Sequence, residues 1–255
     1  MKITFIGAGN VVQQLALALK RSRHTVQEIC NRNETTGKPL AKKIGASYIN
    51  DISKVKDADI IIIAVKDDAI AEVVKNLPAL KNSLVVHTSG ATDIAVLKKK
   101  FINFGVLWQV QTIKAKTKVD FKKVPFVIEA NNPSSEKKLM QFACSLSGKV
   151  YVFNSLQRRV LHLGAVWSNN FVNHLYFLAE VVMKKHHLPF DLFESLILST
   201  AENGIKNPKA SQTGPAKRND IKTMKEHLKL LPDKNYRELY KIISKSIFES
   251  YPHKP

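Results

Sequence analysis

Two short stretches of this 255-residue chain carry residue types suited to holding phosphate. Gly7, Ala8, Gly9, Asn10 and Val11 make a G-x-G turn where a first apolar run meets a first helical pattern. There, one glycine permits a tight turn and the next lets a pyrophosphate approach backbone N–H groups at a helix N-terminus. A plain strand-to-helix turn is the alternative. Val12 stands where the dinucleotide fingerprint usually has Gly or Ala, which is expected to hold the helix slightly further from the strand. At the tip of the second apolar run, Cys30 is followed by Asn31, Arg32 and Asn33, with no acid. An NAD site usually shows Asp or Glu at this place, accepting from the ribose 2′-OH. A guanidinium pairs with a 2′-phosphate instead, so Arg32 points to NADP(H), unless it is only a surface arginine.

Two later turns belong to the same edge. Ala64 and Val65 end the run DIIIIAV, and His87, Thr88 and Ser89 follow SLVV. Ligands of open α/β sheets sit beyond the carboxyl ends of the strands, so both turns are expected to line the cofactor cleft. His87, Thr88 and Ser89 are candidates for the nicotinamide end, or for loop-stabilising hydrogen bonds. Further on, residues 161–176 read LHLGAVWSNNFVNHLY, a helical segment rich in amide and imidazole groups. At 100° per residue, His162, Asn169 and Asn173 fall on one face, and Leu163, Trp167, Phe171 and Leu178 on an apolar stripe expected to enter the core. The polar face is a wall of the interdomain cleft presenting donors to substrate, a network satisfied between helices or across a dimer interface, or simply a solvent face, for which Asn and His are poor choices beside abundant Lys and Glu. His162 is the proton-donor candidate, because imidazole titrates near neutral pH.

The elements that position these groups alternate strand and helix through the first half. Strands are expected at 2–7, 25–31, 59–65 and 83–89, with helices at 10–22 and 35–44 and a cap for the next helix at Asp67. The β-branched run at 59–65 is what a strand covered on both faces looks like. NFGVLWQV, VPFVIEA and KVYVF read as further strands around a helix at 134–146. Beyond 155 strand signals vanish, and helical periodicity runs at 156–184, 190–205, 218–231 and 234–250, interrupted by the turn region 206–217. The fold class is therefore α/β, a Rossmann-like doubly wound, mostly parallel sheet with a C-terminal all-helical domain. The expected domains are 1–154 for dinucleotide binding and 155–255 for substrate and dimerisation.

GAGNVV (7–12), AVKDDAI (64–70), VVHTSGA (85–91), QT (111–112), QRRVLHLGAVWSNNFVNHLY (157–176) and TGPAKRND (213–220) together make the chain resemble a bacterial family. In that family a Rossmann-like NADP-binding domain precedes a helical domain of unknown function. Its layout is similar to that of pyrroline-5-carboxylate reductase, deazaflavin-dependent NADP oxidoreductase and the β-hydroxyacid dehydrogenases. The family usually has Ala for Val12, Pro for Lys66, Tyr-Pro-Leu-Gln-Thr for residues 108–112 and Gly for Asn219. An arginine stands at the place of Arg158, where it would clamp an acidic group of the substrate bidentately. Thr213, Gly214 and Arg218 mark a loop that would close over substrate or meet a partner subunit, although a Pro turn and helix cap account for it equally.

The resemblance implies an NADP(H)-dependent oxidoreductase reducing a C=O or C=N bond of a small, acidic metabolite held between the domains. Helical second domains of this kind commonly form homodimers in the families it resembles. No counterpart of the β-hydroxyacid dehydrogenase lysine stands on the 157–176 helix, so a non-catalytic NADP-binding sensor or scaffold is the second reading.

Composition bounds the rest. A 44% hydrophobic and 24% charged chain is ordinary for a globular protein. No apolar run nears the ~20 residues that cross a bilayer. The start MKITFIGAGN lacks a signal peptide's apolar stretch and cleavage site, so a cytoplasmic home is expected. The net charge of +19 comes from scattered lysines without aromatic stacking platforms, which argues against nucleic acid and for a solvated surface or steering of anionic metabolites. Cys30 and Cys144 make neither a disulfide framework nor a metal site, and Cys144 reads as a small core residue.

Overall fold

The computed structural model describes residues 1–20, 22–114 and 118–251. They divide into two compact units, Met1–Val166 and Trp167–Pro255.

In the first unit the strands β1 (Lys2–Ile6), β2 (Thr25–Cys30), β3 (Ser47–Ile49), β4 (Ile60–Ile63), β5 (Leu84–His87), β6 (Asn103–Gln109), β7 (Phe126–Ala130) and β8 (Val150–Val152) form one sheet. Its order is β3-β2-β1-β4-β5-β6-β7-β8. Neighbours run parallel except β6 and β7, which are antiparallel. The chain adds strands on one side of β1 and then restarts on the other with β4. That reversal opens a crevice at the carboxyl ends of β1 and β4.

Alternation along the apolar strands sends side chains to both faces. Ile60 and Ile62 pack with Phe5, with Val12 and Leu15 of α1 (Asn10–Leu19), with Leu40 of α2 (Glu34–Ile44) and with Phe142 of α4 (Pro133–Leu146). Ile61 and Ile63 pack on the opposite face with Ile70 and Val74 of α3 (Ile70–Asn76), and with Leu97 and Phe101. Val12 is fully buried, so the third fingerprint position packs α1 onto the sheet through an isopropyl group. Two local expectations are corrected. Asp67 opens a single 3₁₀ turn whose N-cap is Lys66, with no side-chain cap. Cys144 is exposed on α4, its thiol 3.6 Å from the Met140 sulfur, because it falls off the stripe carrying Phe142 and Ala143.

The helix α5 (Ser155–Ala165) belongs to the first unit, so the unit boundary lies beyond the place where strand signals cease. A full capping box at Asn154 and Gln157 starts it, and Leu161 packs against the cluster of Val106, Trp108 and Val127. Six residues in π-helical geometry, Val166–Phe171, then lead into α6 (Val172–Lys185). A π turn breaks the 100° count, so the common face projected for His162, Asn169 and Asn173 does not carry past Val166.

The second unit continues with α7 (Glu194–Lys206), the one-turn α8 (Pro208–Ser211), α9 (Ile221–Leu230) and α10 (Lys234–Ser250). The expected core stripe is not buried: Trp167 is 63% and Phe171 46% exposed, as are large apolar residues on α7, α9 and α10. Among the described residues of this unit only Ala216 is a buried hydrophobe. Asn219 has φ 55°, the left-handed region, which accounts for glycine being common there in the resembling family. Among the described residues no helix is long and apolar enough to cross a membrane.

A nucleotide-type crevice and a buried arginine

The turn after β1 sits in the crevice between β1 and β4. Gly7 takes φ +112°, its N–H donates to the Cys30 carbonyl at 2.8 Å, and a Cβ placed on it would strike the Ala64 carbonyl. Only glycine meets both conditions. Gly9 is the N-cap of α1 without a side-chain cap, and a Cβ there would meet nothing within 4 Å. The first-turn N–H groups of this ten-residue helix have neither a side-chain cap from Gly9 nor an acid within that turn. Ala8 is buried behind them, Val11 is half-buried, and the Asn10 side chain donates to the Ile113 carbonyl at 3.2 Å.

Beside this turn lies a cavity of about 720 Å³, whose walls include Gly7, Cys30, Asn31, Arg32, Val65 and Lys66. Arg32 is exposed and follows the end of β2, while Asn33 turns back to cap α2 through the Thr35 N–H at 2.9 Å. Asn31 braces this loop by donating to the Asn33 carbonyl and the Thr36 hydroxyl. Burial pushes the Cys30 thiol up to about 11, so it stays protonated at the cavity wall. Asn50, Asp51 and Glu72 also line the space and were not anticipated. The position of Asn50 and Asp51 just after β3 obeys the same strand-end rule that located Arg32. Open space at Gly9 with two cations, Arg32 and Lys66, on the adjoining wall fits a dinucleotide carrying an extra phosphate.

The turn after β5 is built differently. The Thr88 N–H donates to the Ile63 carbonyl at 3.1 Å, and Thr88 is half-buried. Ser89 spends its hydroxyl on the Ala91 and Thr92 N–H groups, which makes it a loop stabiliser. His87 is fully buried. Its Nδ1 accepts from the Ser89 N–H at 3.3 Å and its Nε2 is buried without a protein partner. Burial first, and then the charge of Arg158, holds its imidazole down to about 3, so the ring is neutral.

Arg158 departs furthest from expectation. It is fully buried in α5 rather than open to an acidic substrate. One guanidinium nitrogen, Nη1, donates to the carbonyls of Ser89, Gly90 and Thr92 at 3.1, 3.0 and 2.7 Å. The other, Nη2, donates to Glu129 Oε2 and to the Ser155 hydroxyl, both at 3.0 Å. Glu129, on β7, has no local sequence signal that announces this pairing. His162, one turn after Arg158, is half-buried with its ring 5.7 Å from that of Trp108. A Cβ on Gly90 would come within 2.7 Å of His162 Cδ2 and 2.6 Å of Trp108 Cε2, so the two rings close over this glycine.

The structure thus brings Gly7, Ala8, Gly9, Arg32, Ala64 and Val65 to one crevice, and Ser89 and His162 to the Gly90 loop. Asn169 and Asn173 are exposed residues of the second unit. So are Thr213 and Arg218, while Gly214 between them takes φ +103°. Asp220 caps α9 through the Thr223 N–H, and that bond and the Thr223 hydroxyl hold its carboxyl below the usual range.

Known proteins agree with this layout. Residues 2–90 match the family model described as NADP oxidoreductase coenzyme F420-dependent, and residues 124–247 a domain of unknown function, DUF2520. A solved structure from Bacteroides fragilis, provisionally described as an NADP oxidoreductase, is 38% identical. It superposes with a TM-score of 0.89 over 97% of this chain and 98% of its own. A pyrroline-5-carboxylate reductase of Vibrio alginolyticus is 33% identical over 101 residues, which span 38% of this chain and 37% of the reductase. An imine reductase from Myxococcus stipitatus, solved with NADP+, shares the fold at 16% identity, with a TM-score of 0.68 over 98% of this chain and 92% of its own. From its glycine turn to its last helices, the chain belongs to the family of NADP oxidoreductases in which an F420-type NADP oxidoreductase domain is followed by a DUF2520 domain.

Proposed function

We propose that this protein binds NADP(H) at the β1–β4 crevice and reduces a C=O or C=N bond of a small, acidic metabolite. The observation that carries the reading is the seating of Gly7 against Ala64 at the sheet reversal, next to a cavity walled by Arg32 and Lys66. NADPH, when bound, supplies a hydride to the substrate. Gly7, Ala8, Gly9, Asn10 and Val11 form the pyrophosphate turn, with α1's free N–H groups as donors. Arg32 pairs with the 2′-phosphate, with Asn31 and Asn33 holding its loop. Ala64, Val65 and Thr88 shape the crevice at the carboxyl edge. His162, held beside Gly90, delivers the proton that reduction requires. Asn169, Asn173, Thr213, Gly214 and Arg218 offer hydrogen bonds to substrate. The sequence likeness to part of a pyrroline-5-carboxylate reductase supports an imine or carbonyl next to a carboxylate.

Fluorescence titration with NADPH and NADH tests the cofactor assignment. Wild type should bind NADPH more tightly, and Arg32→Ala should lose about 10–100-fold in NADPH affinity while leaving NADH nearly unchanged. Equal wild-type affinity for both dinucleotides overturns the 2′-phosphate role.

The exposed apolar faces of the second unit support a homodimer through this unit. A helical unit of this size with one buried hydrophobe among its described residues needs a partner surface to complete its core. Trp167→Glu, placing a charge on that face, should shift the protein from dimer to monomer in sedimentation equilibrium at micromolar concentration. A monomeric wild type rules the arrangement out.

One observation favours the second reading, a non-catalytic NADP-binding protein: α5 carries no lysine and its Arg158 is buried. Tight NADPH binding with no oxidation across a panel of keto and imino acids decides for it.

A further inference from the structure

We infer that Arg158 is a positioning residue that sets the conformation of the loop 88–92 for the nicotinamide half of the cofactor. The inference rests on the NADP(H) reading above. Desolvating a guanidinium uncompensated costs several kcal/mol, and Arg158 meets that cost through its two terminal nitrogens, its Nε being buried without a partner. Here Glu129 meets the charge at 3.0 Å. The rest of the donor capacity is unusual in its target, because Nη1 takes three carbonyls from one five-residue turn. In a planar trans peptide the C=O and N–H point in opposite directions. Drawing the Ser89 carbonyl onto α5 therefore turns the Gly90 N–H away from Arg158. The same turn is tied to the sheet by the Thr88 N–H on Ile63 and to itself by the Ser89 hydroxyl.

A second contact comes from the same helix. Arg158 and His162 are four residues apart, hence neighbours on one face of α5. Arg158 holds the carbonyl side of Gly90, while His162 and Trp108 cover its Cα. Ser155, in the first turn of α5, closes the set: its hydroxyl lies 2.9 Å from Glu129 Oε2 and accepts from the Ile94 N–H at 3.3 Å. One helix face thus fixes the loop after β5 at its carbonyls and presents the imidazole beside it. Lysine keeps the charge but has no planar fork to reach three carbonyls and a carboxylate together.

The test compares NADPH with 2′,5′-ADP, which carries the extra phosphate but no nicotinamide, by calorimetric titration of wild type and Arg158→Lys. Arg158→Lys should bind 2′,5′-ADP as wild type does, within about twofold, and NADPH about tenfold more weakly. Hydrogen exchange at the amides of residues 91–94 should quicken by about tenfold or more, with the β1 and β4 amides unchanged. Equal losses for both ligands, or no loss for either, overturns the positioning role and leaves the cofactor reading standing. A wild type that binds neither ligand overturns both. If Arg158→Lys does not fold, Arg158→Met with Glu129→Gln, which leaves no buried charge, carries the same comparison.

Discussion

Gly7→Ala is expected to cost about 3 kcal/mol or more of folding stability and to abolish NADPH binding. Two penalties coincide at this residue. At φ +112° an L side chain is strained in any surroundings, and here its Cβ would also run into the Ala64 carbonyl, a backbone atom that cannot swing aside. Relief requires β1 and β4 to separate at the point where the cofactor turn begins. Gly9→Ala provides the contrast. Its φ of −72° is ordinary and the space around its Cβ is open, so the stability loss should be confined to about 1 kcal/mol, the cost of alanine at an N-cap. The added methyl would stand where the pyrophosphate must approach, so NADPH affinity should still fall. Calorimetric melting together with NADPH titration separates the two. A Gly7→Ala protein with wild-type melting temperature refutes the account of the turn.

Stability should also decline steeply in mild acid, with His87 as a principal cause. Its folded-state value of about 3 lies below the ~6.5 of an unfolded histidine, so unfolding takes up a proton between those limits. The contribution is complete above pH ~6.5 and is lost as pH falls toward about 3. The slope contributed by this one group approaches about 1.4 kcal/mol per pH unit in the middle of that window. Burial is the larger cause and the Arg158 charge the smaller. His87→Gln, which cannot take up the proton, should flatten the urea-unfolding midpoint between pH 6 and pH 4.5 relative to wild type. Identical pH profiles for the two proteins would remove His87 as the cause.

Much of the fold was legible because it rests on local pattern. The run of four isoleucines at 60–63 can only be a strand covered on both faces, and Gly7 with Gly9 marks the first strand-to-helix turn. The place of Arg32 on the cavity wall follows from its position after β2 alone. What escaped was set by distant partners. Periodicity grouped Leu163, Trp167 and Phe171 on one stripe, yet it cannot say whether such residues meet a core or the outside, and all three are exposed. Arg158 reads as a ligand clamp because its position on α5 is visible, while its acceptors lie on β7 and after β5, dozens of residues away. The π turn at Val166–Phe171 has no periodic signature, and it undoes a projection that assumes uniform helix. Asn50 and Asp51 were within reach of the strand-end rule, but β3 is only three residues long and its pattern is faint.

The distribution of buried residues has a consequence for how the chain is made. Among the described residues, apart from Ala216, every buried apolar side chain lies at or before Leu146. A ribosome releases these residues first, so the sheet can close its core while the helices beyond Ser155 are still being synthesised. The glycine turn and the Arg32 wall of the nucleotide crevice are then in place before the exposed apolar helices emerge. NADP(H) can meet a nascent chain at that stage and favour its folded first unit by mass action. The hazardous interval in biosynthesis falls afterwards, when the finished helical unit shows its leucines and aromatics to other chains.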